Sequence, residues 1–158
     1  MATELAGIRL GMSPVAVTLK LGHPGREDPI EQLESGVFSK FMEFLSEAGS
    51  INTWVLFNGT ELDLKTVRTC ERGGYGRVLG FNRYSSEKAI LDKLGEPETV
   101  SISPTGTVKL INYPQWNASF QIQKGSVIRV CVTSLKGGTR YINEYGQEAP
   151  TDLKGDEK

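Results

Sequence analysis

Two stretches of the chain carry apolar residues at helical spacing between the same stop and start signals. They are "GIRLGMSPVAVTLKLGHP" (7–24) and "GFNRYSSEKAILDKLGEP" (80–97). Val17 and Leu21 in the first, and Ile90, Leu91 and Leu94 in the second, fall on one side of a short helix. Ser13 and Ser86 suit the N-cap, where a hydroxyl accepts from an orphan backbone N–H. Pro14 then sits at the first helical position, where its missing N–H costs nothing. Gly22 and Gly95 suit the position after the last turn, which needs positive φ. Pro24 and Pro97 forbid continuation. The pattern predicts helices over 14–21 and 87–94.

Gly7/Gly80, Ser13/Ser86, Ala16/Ala89, Lys20/Lys93, Leu21/Leu94, Gly22/Gly95 and Pro24/Pro97 are identical pairs, all at one offset. Such self-similarity is the signature of an internal repeat, although any two capped helices share Ser at the start and Gly-x-Pro at the end. Further on, "VRTC" (67–70) matches "IRVC" (128–131), which sets Arg68 over Arg129 and Cys70 over Cys131. The expected organisation is repeat one over 5–72, a Gly-rich linker over 73–80, repeat two over 81–145, and a polar tail over 146–158.

Between the first helix and the strands, Ile30, Leu33, Val37, Phe38, Phe41, Met42 and Leu45 form a stripe at i, i+3/i+4 spacing. Asp28, Pro29 and Glu31 supply start signals and Gly49 a stop. The expectation is a long helix over 29–47 with no counterpart in the second repeat. The period then changes to alternation over 52–70. Asn58-Gly59 between apolar runs is a strong short hairpin signal. It places Val55, Phe57, Leu62 and Leu64 on one face, and Trp54, Leu56, Glu61 and Asp63 on the other. A second hairpin, "SFQIQKGSVIRVCV", keeps its apolar residues in phase if the loop is the three residues Lys124-Gly125-Ser126. Phe120, Ile122, Ile128, Val130 and Val132 then share a face, opposite Ser119, Gln121, Gln123, Arg129 and Cys131.

At 158 residues the chain holds one domain or two small ones. A formal net charge of −1 argues against a dedicated nucleic-acid binder, which shows a basic excess. No run of 18 apolar residues is present, so no transmembrane helix is expected. The start, "MATELAGIRLG", lacks a basic region followed by an apolar one, so no signal peptide is visible. Two cysteines and one histidine are too few for the usual zinc ligand set.

A capped helix, then "LGxP", then an antiparallel sheet, twice over, resembles a known arrangement. "GIRLGMSPVAVTLKLGHP" looks like the opening of the SmpA/OmlA outer-membrane lipoprotein family. In tandem, over roughly 5–133, the pattern resembles the β-lactamase inhibitor protein (BLIP) family. Repeat two departs from it, with Tyr84-Ser85 where repeat one has Gly11-Met12. The resemblance implies an α+β fold, a tandem repeat of helices packed on one face of an antiparallel β-sheet. It also implies a non-enzymatic module that grips a protein partner, and a periplasmic or secreted location, with cytoplasmic left open. Members in tandem carry a disulfide within each repeat, whereas each repeat here has one cysteine. No residues match the inhibitor contact loops, so β-lactamase inhibition does not carry over.

The search for chemistry is short. His23 lies in the turn between Gly22 and Pro24 and has no identifiable orienting partner for general-base work. The loose G-x-G in "ERGGYGRVLG" (71–80) is not followed by a helix, as a dinucleotide fingerprint requires. No catalytic residue, cofactor or metal is therefore expected. Equivalent strands of two consecutive sheets are usually not neighbours, so Cys70 and Cys131 are expected as free thiols. The expected protein-binding face carries Trp54, Leu56, Glu61, Asp63, Arg68, Gln121, Gln123 and Arg129, because interface cores enrich aromatic residues and arginine. The competing reading covers Trp54 with the chain itself, through the Gly-rich linker or "TRYINEY". An alternative function is a small-molecule or lipid binder using the groove between the repeats.

Overall fold

A computed structural model describes residues 1–45, 51–72, 76–135 and 142–148, with the backbone only at Ile51. In chain order the elements are β1 (Glu4–Leu5), β2 (Ile8–Arg9), α1 (Pro14–Leu21), β3 (Arg26–Glu27), β4 (Glu31–Gln32), β5 (Phe38–Leu45), β6 (Ile51–Thr60), β7 (Asp63–Glu71), α2 (Glu87–Leu94), β8 (Thr99–Ile102), β9 (Val108–Tyr113), β10 (Ala118–Gln123) and β11 (Ser126–Thr133). A single 3-10 turn, Pro114–Trp116, joins β9 to β10.

The two helices form where the capping residues require. Ser13 and Ser86 accept from the amides of Ala16 and Ala89, each at 3.1 Å. Gly22 and Gly95 close the helices at φ 84° and 81°. Each helix buries one residue deeply, Val17 or Ile90. The two are also entered alike. The turn Ala6-Gly7 (φ 55° and 80°) precedes α1, and Leu79-Gly80 (φ 53° and 87°) precedes α2.

The expected architecture, helices packed on the sheets of two tandem α+β repeats, is not what forms. Strands dominate. Nine of them make one continuous antiparallel sheet in the order β3-β5-β6-β7-β11-β10-β9-β8, with β4 also beside β5. Two facts overturn the expectation. First, the segment expected as helix 29–47 is extended as far as Leu45; residues 46–47 lie outside the described set. Leu33 and Val37 pair around a turn closed by Gly36 at φ 92°, and β5 then pairs with β6 from Phe38 to Leu45. The stripe that read as helical also contains a period-2 set, Phe38, Met42 and Phe44. Aromatic and branched side chains favour a half-buried pleated surface, and tertiary pairing decided the ambiguity. Second, β7 pairs with β11 through Arg68–Glu71 and Val130–Thr133, which merges the two halves into one sheet.

Both hairpins differ from expectation in one instructive way. Asn58-Gly59 is not a turn: β6 runs on to Thr60, and Glu61-Leu62 turns the chain. Leu62 therefore protrudes at 98% exposure instead of sharing a face with Phe57. The β10–β11 loop has two residues, Lys124-Gly125, both at positive φ, not three. In each hairpin a β-bulge restores the phase, between Leu56 and Phe57 and between Gln121 and Ile122. Such a bulge sets two residues against one. The extra residues are Val67 and Ile128, and Ile128 accordingly leaves the face of Phe120.

One sheet face is covered by the helices and by the β1–β2 hairpin. It holds two apolar clusters: Val17 with Met42, Phe44, Val55, Phe57 and Leu64 in the first half, and Ile90 with Ile111, Tyr113, Phe120, Val130 and Val132 in the second. The other face carries Trp54, Leu56, Cys70, Cys131 and Leu135.

Candidate functional site

The β7–β11 pairing sets Cys70 directly opposite Cys131, and the two are joined in a disulfide with Cα atoms 4.1 Å apart. The expectation of free thiols is thus overturned. Equivalent strands here are neighbours, because the two halves meet edge to edge through their last strands.

Two residues back along each strand, on the same side as the cysteine, stands an arginine. Arg68 is 1% exposed and Arg129 5%. Arg68 Nη2 donates to Glu148 Oε2 at 3.0 Å. Its Nε lies 2.9 Å from Oε1, close enough for an ion pair though off the N–H line. The guanidinium also sits 5.7 Å from the centroid of the Trp54 ring. Gln121 donates from Nε2 to the same Glu148 oxygen at 2.6 Å and to the Gly146 carbonyl at 2.8 Å. Arg129 Nη1 donates to Gln121 Oε1 at 3.0 Å and to the Gly146 carbonyl at 2.9 Å. Burial pulls the Arg129 guanidinium down to about 10, opposed by the charge of Glu148. The result is a built pocket for a carboxylate beside the disulfide: Arg68 and Gln121 donate to it, and Arg129 holds Gln121 from the side.

The carboxylate comes from a strap, residues 142–148. Its ends meet as a bridge between Ile142 and Glu148, and Asn143 closes the loop by accepting from the Tyr145 and Gln147 amides. Ile142 packs with Val108 and Leu110. Glu144 forms a second anchor, accepting from Ser103 Oγ at 2.7 Å and from the Thr105 amide at 2.8 Å. The Thr105 side chain, with Ser103 Oγ and the Thr105 amide, holds its carboxyl down at about 2.

Of the residues expected on a binding face, Trp54, Leu56, Arg68, Gln121 and Arg129 are brought together, but they are buried. The strap lies over Arg68, Gln121 and Arg129. Gln123 is half-buried at the end of β10, while Glu61 and Asp63 stand exposed at the β6–β7 turn, away from the cluster. The shifted turn is what separates them. The residues that sequence reasoning missed are Gly146 and Glu148, assigned to a polar tail, and Glu144. Two arginines at matched strand positions on a half-apolar face were the available signal that a carboxylate was needed.

Sulfur atoms of Cys70 and Cys131 and a carboxylate oxygen of Glu148 lie within 4.8 Å of one another. Both sulfurs are committed to the bridge, so the group offers a metal one carboxylate. A separate cleft of about 490 Å³ opens where the β1–β2 turn meets β6 and β7, lined by Glu4, Leu5, Thr53, Arg77 and the buried Glu71 among others.

No family model and no curated protein matches the chain. A crystal structure of an extracellular protein containing an SCP domain from Bacillus anthracis str. Ames is similar at a TM-score of 0.48 and 13% identity, over 78% of this chain. The chain spans 43% of the length of that protein. No helix among the described residues is long and apolar enough to cross a membrane.

Proposed function

We propose that the chain is a non-enzymatic protein-binding module that holds a short acidic segment on the sheet face opposite its helices. One observation carries this reading: the face already holds such a segment, its own strap, through the carboxylate of Glu148 seated between Arg68 and Gln121. The disulfide fits an oxidising compartment, periplasmic or extracellular. The test uses the full chain carrying Glu148→Gln, whose strap no longer supplies a charged ligand, or Glu144→Gln if the first is poorly folded. Each is titrated with a labelled peptide of residues 142–148. The wild-type peptide binds and the peptide carrying Glu148→Gln does not. A folded chain that ignores both sinks the reading.

A second reading, a small-molecule binder, is favoured by the cleft beside Glu71, which is lined by the first half and the linker and does not lie in the expected groove between the halves. Native mass spectrometry of the purified protein detects a retained ligand directly, and its release on Glu71→Gln would locate it.

A further inference from the structure

We infer that the chain forms a two-fold dimer through the outer edge of β8, which pairs antiparallel with the same strand of a second copy about an axis at Ser101.

The two ends of the sheet are built differently. Counting on from the matched prolines Pro24 and Pro97, Arg26-Glu27-Asp28-Pro29 in the first half corresponds to Thr99-Val100-Ser101-Ile102 in the second. The structure agrees: β3 lies along β5 at one end of the sheet, and β8 along β9 at the other. Charges and prolines keep a sheet edge from pairing with other chains. The β3 end has both. Glu27 is ion-paired with Lys40 at 2.8 Å and Arg26 with Asp28 at 2.9 Å. Lys40 Nζ also donates to the Asp28 carbonyl at 3.1 Å, and Pro29 has no N–H to offer. The β8 end has no such protection. No charged residue lies between Thr99 and Thr107. Lys109, opposite Ile102 on β9, is drawn to Glu87 at the start of α2 and not over the edge. Val100 and Ile102 are 47% and 63% exposed. Among the described residues, no strand pairs with their outer side.

The backbone phase shows what this edge offers. The Ser103 amide donates to the Val108 carbonyl at 2.9 Å. Hydrogen-bonded positions alternate along an antiparallel pair. Ser103, Ser101 and Thr99 therefore turn their backbone groups towards β9, and Ile102 and Val100 turn theirs outward. A two-fold axis through Ser101 sets Val100 against Ile102 of the copy, and Ile102 against Val100. Each of these pairs exchanges both of its backbone bonds. Side chains alternate between faces, so Val100 and Ile102 meet on one face while Thr99 meets Ser103 on the other. A two-fold contact sets the same patch against itself. It therefore tolerates no like charges, and this edge has none to oppose. Pro97 and Pro104 bound the pairable stretch, and a second copy matches that length and composition by construction.

The experiment uses the full chain. An interface this small belongs to the weak, transient class, so sedimentation velocity is followed up to about 1 mM protein. The wild type is expected to pass from monomer to dimer over that range. Val100→Lys sets a lysine in each apolar pair. It is expected to weaken association at least tenfold while circular dichroism stays unchanged, and Ile102→Lys serves if the first variant folds poorly. Ser101→Cys faces its copy across the axis, where Cα atoms about 4.5 Å apart lie within reach of a disulfide. Mild oxidation is expected to link it into covalent dimers. Thr99→Cys faces Ser103 and is expected not to link. A wild type that stays monomeric up to about 1 mM overturns the proposal and leaves the edge to a strand of another protein. A dimer that survives both folded lysine variants also overturns it, and places the contact on another surface. So does a dimer in which Ser101→Cys links no faster than Thr99→Cys.

Discussion

Arg68 and Glu148 share a site that neither could occupy alone. Removing one partner of a buried ion pair typically costs about 3–5 kcal/mol, because the remaining charge stays desolvated. Glu148→Gln is therefore expected to destabilise the fold by about 3 kcal/mol, and Arg68→Met in the same chain to recover at least half of that. Urea midpoints of the two singles and the double decide it. Trp54 is packed against Phe41, with ring centroids 5.5 Å apart, and is buried. Trp54→Ala should cost about 3–5 kcal/mol in stability, as large-to-small core changes do. A shift below about 1 kcal/mol would mean that Trp54 faces solvent. Glu144 gives a pH dependence. Its folded carboxyl titrates at about 2, below the ordinary value of 4.5, so its contribution to holding the strap is complete above 4.5. That contribution is lost as pH falls from 4.5 towards 2. The protection of the Gly146 amide, its exchange relative to the intrinsic rate at each pH, should fall across that window in the wild type, and the Glu144→Gln chain should lack this component.

At the scale of elements, the two helices differ in what they show to solvent. Lys88 and Asp92 on α2 form an ion pair of 2.7 Å. The corresponding residues of α1, Val15 and Leu19, stand 70% and 83% exposed. Exchanging this apolar pair for Lys and Asp should leave stability within about 0.5 kcal/mol, as surface changes do. Thermal unfolding of Val15→Lys with Leu19→Asp tests it, and a large loss would place α1 against something else. Gly59 is a different case. It lies inside β6 with φ 155°, and a Cβ would meet the Asp63 carbonyl oxygen at 2.2 Å. The residue that read as a turn glycine is instead required by the close approach of two strands.

For the molecule as a whole, the disulfide is the covalent seam of the sheet. It bridges residues separated by 61 in sequence, at the pairing that joins the two halves. Closing a loop of this size restricts the unfolded chain by an amount worth about 4 kcal/mol in the chain-entropy model. Thiol titration of the unfolded, unreduced protein should count zero thiols, and two after reduction. Reduction should lower stability by up to about 4 kcal/mol. A count of two before reduction would contradict the bridge. Because Arg68 and Arg129 each lie two residues from a bridged cysteine, opening the seam should also loosen the strap. Amide exchange at 142–148 in the reduced protein reads this directly.

What the sequence determined by itself was local. Both helices occupy the spans that their caps define, because a serine hydroxyl, a glycine at positive φ and a proline act within a single turn. What only the tertiary structure decided was pairing. A stripe of Phe and Met over 30–45 is compatible with a helix or with a strand, and β5 is a strand because β6 is there to receive its hydrogen bonds. Turn positions moved because a bulge allows a two-residue loop to keep the apolar residues in phase, and a bulge leaves no mark in a pattern of alternation. The contact between β7 and β11, residues 61 positions apart, put the cysteines together and merged the halves into one sheet. The strap crossed the sheet face because two buried guanidiniums need a carboxylate, and only the folded chain shows which of its nineteen acidic residues comes within reach.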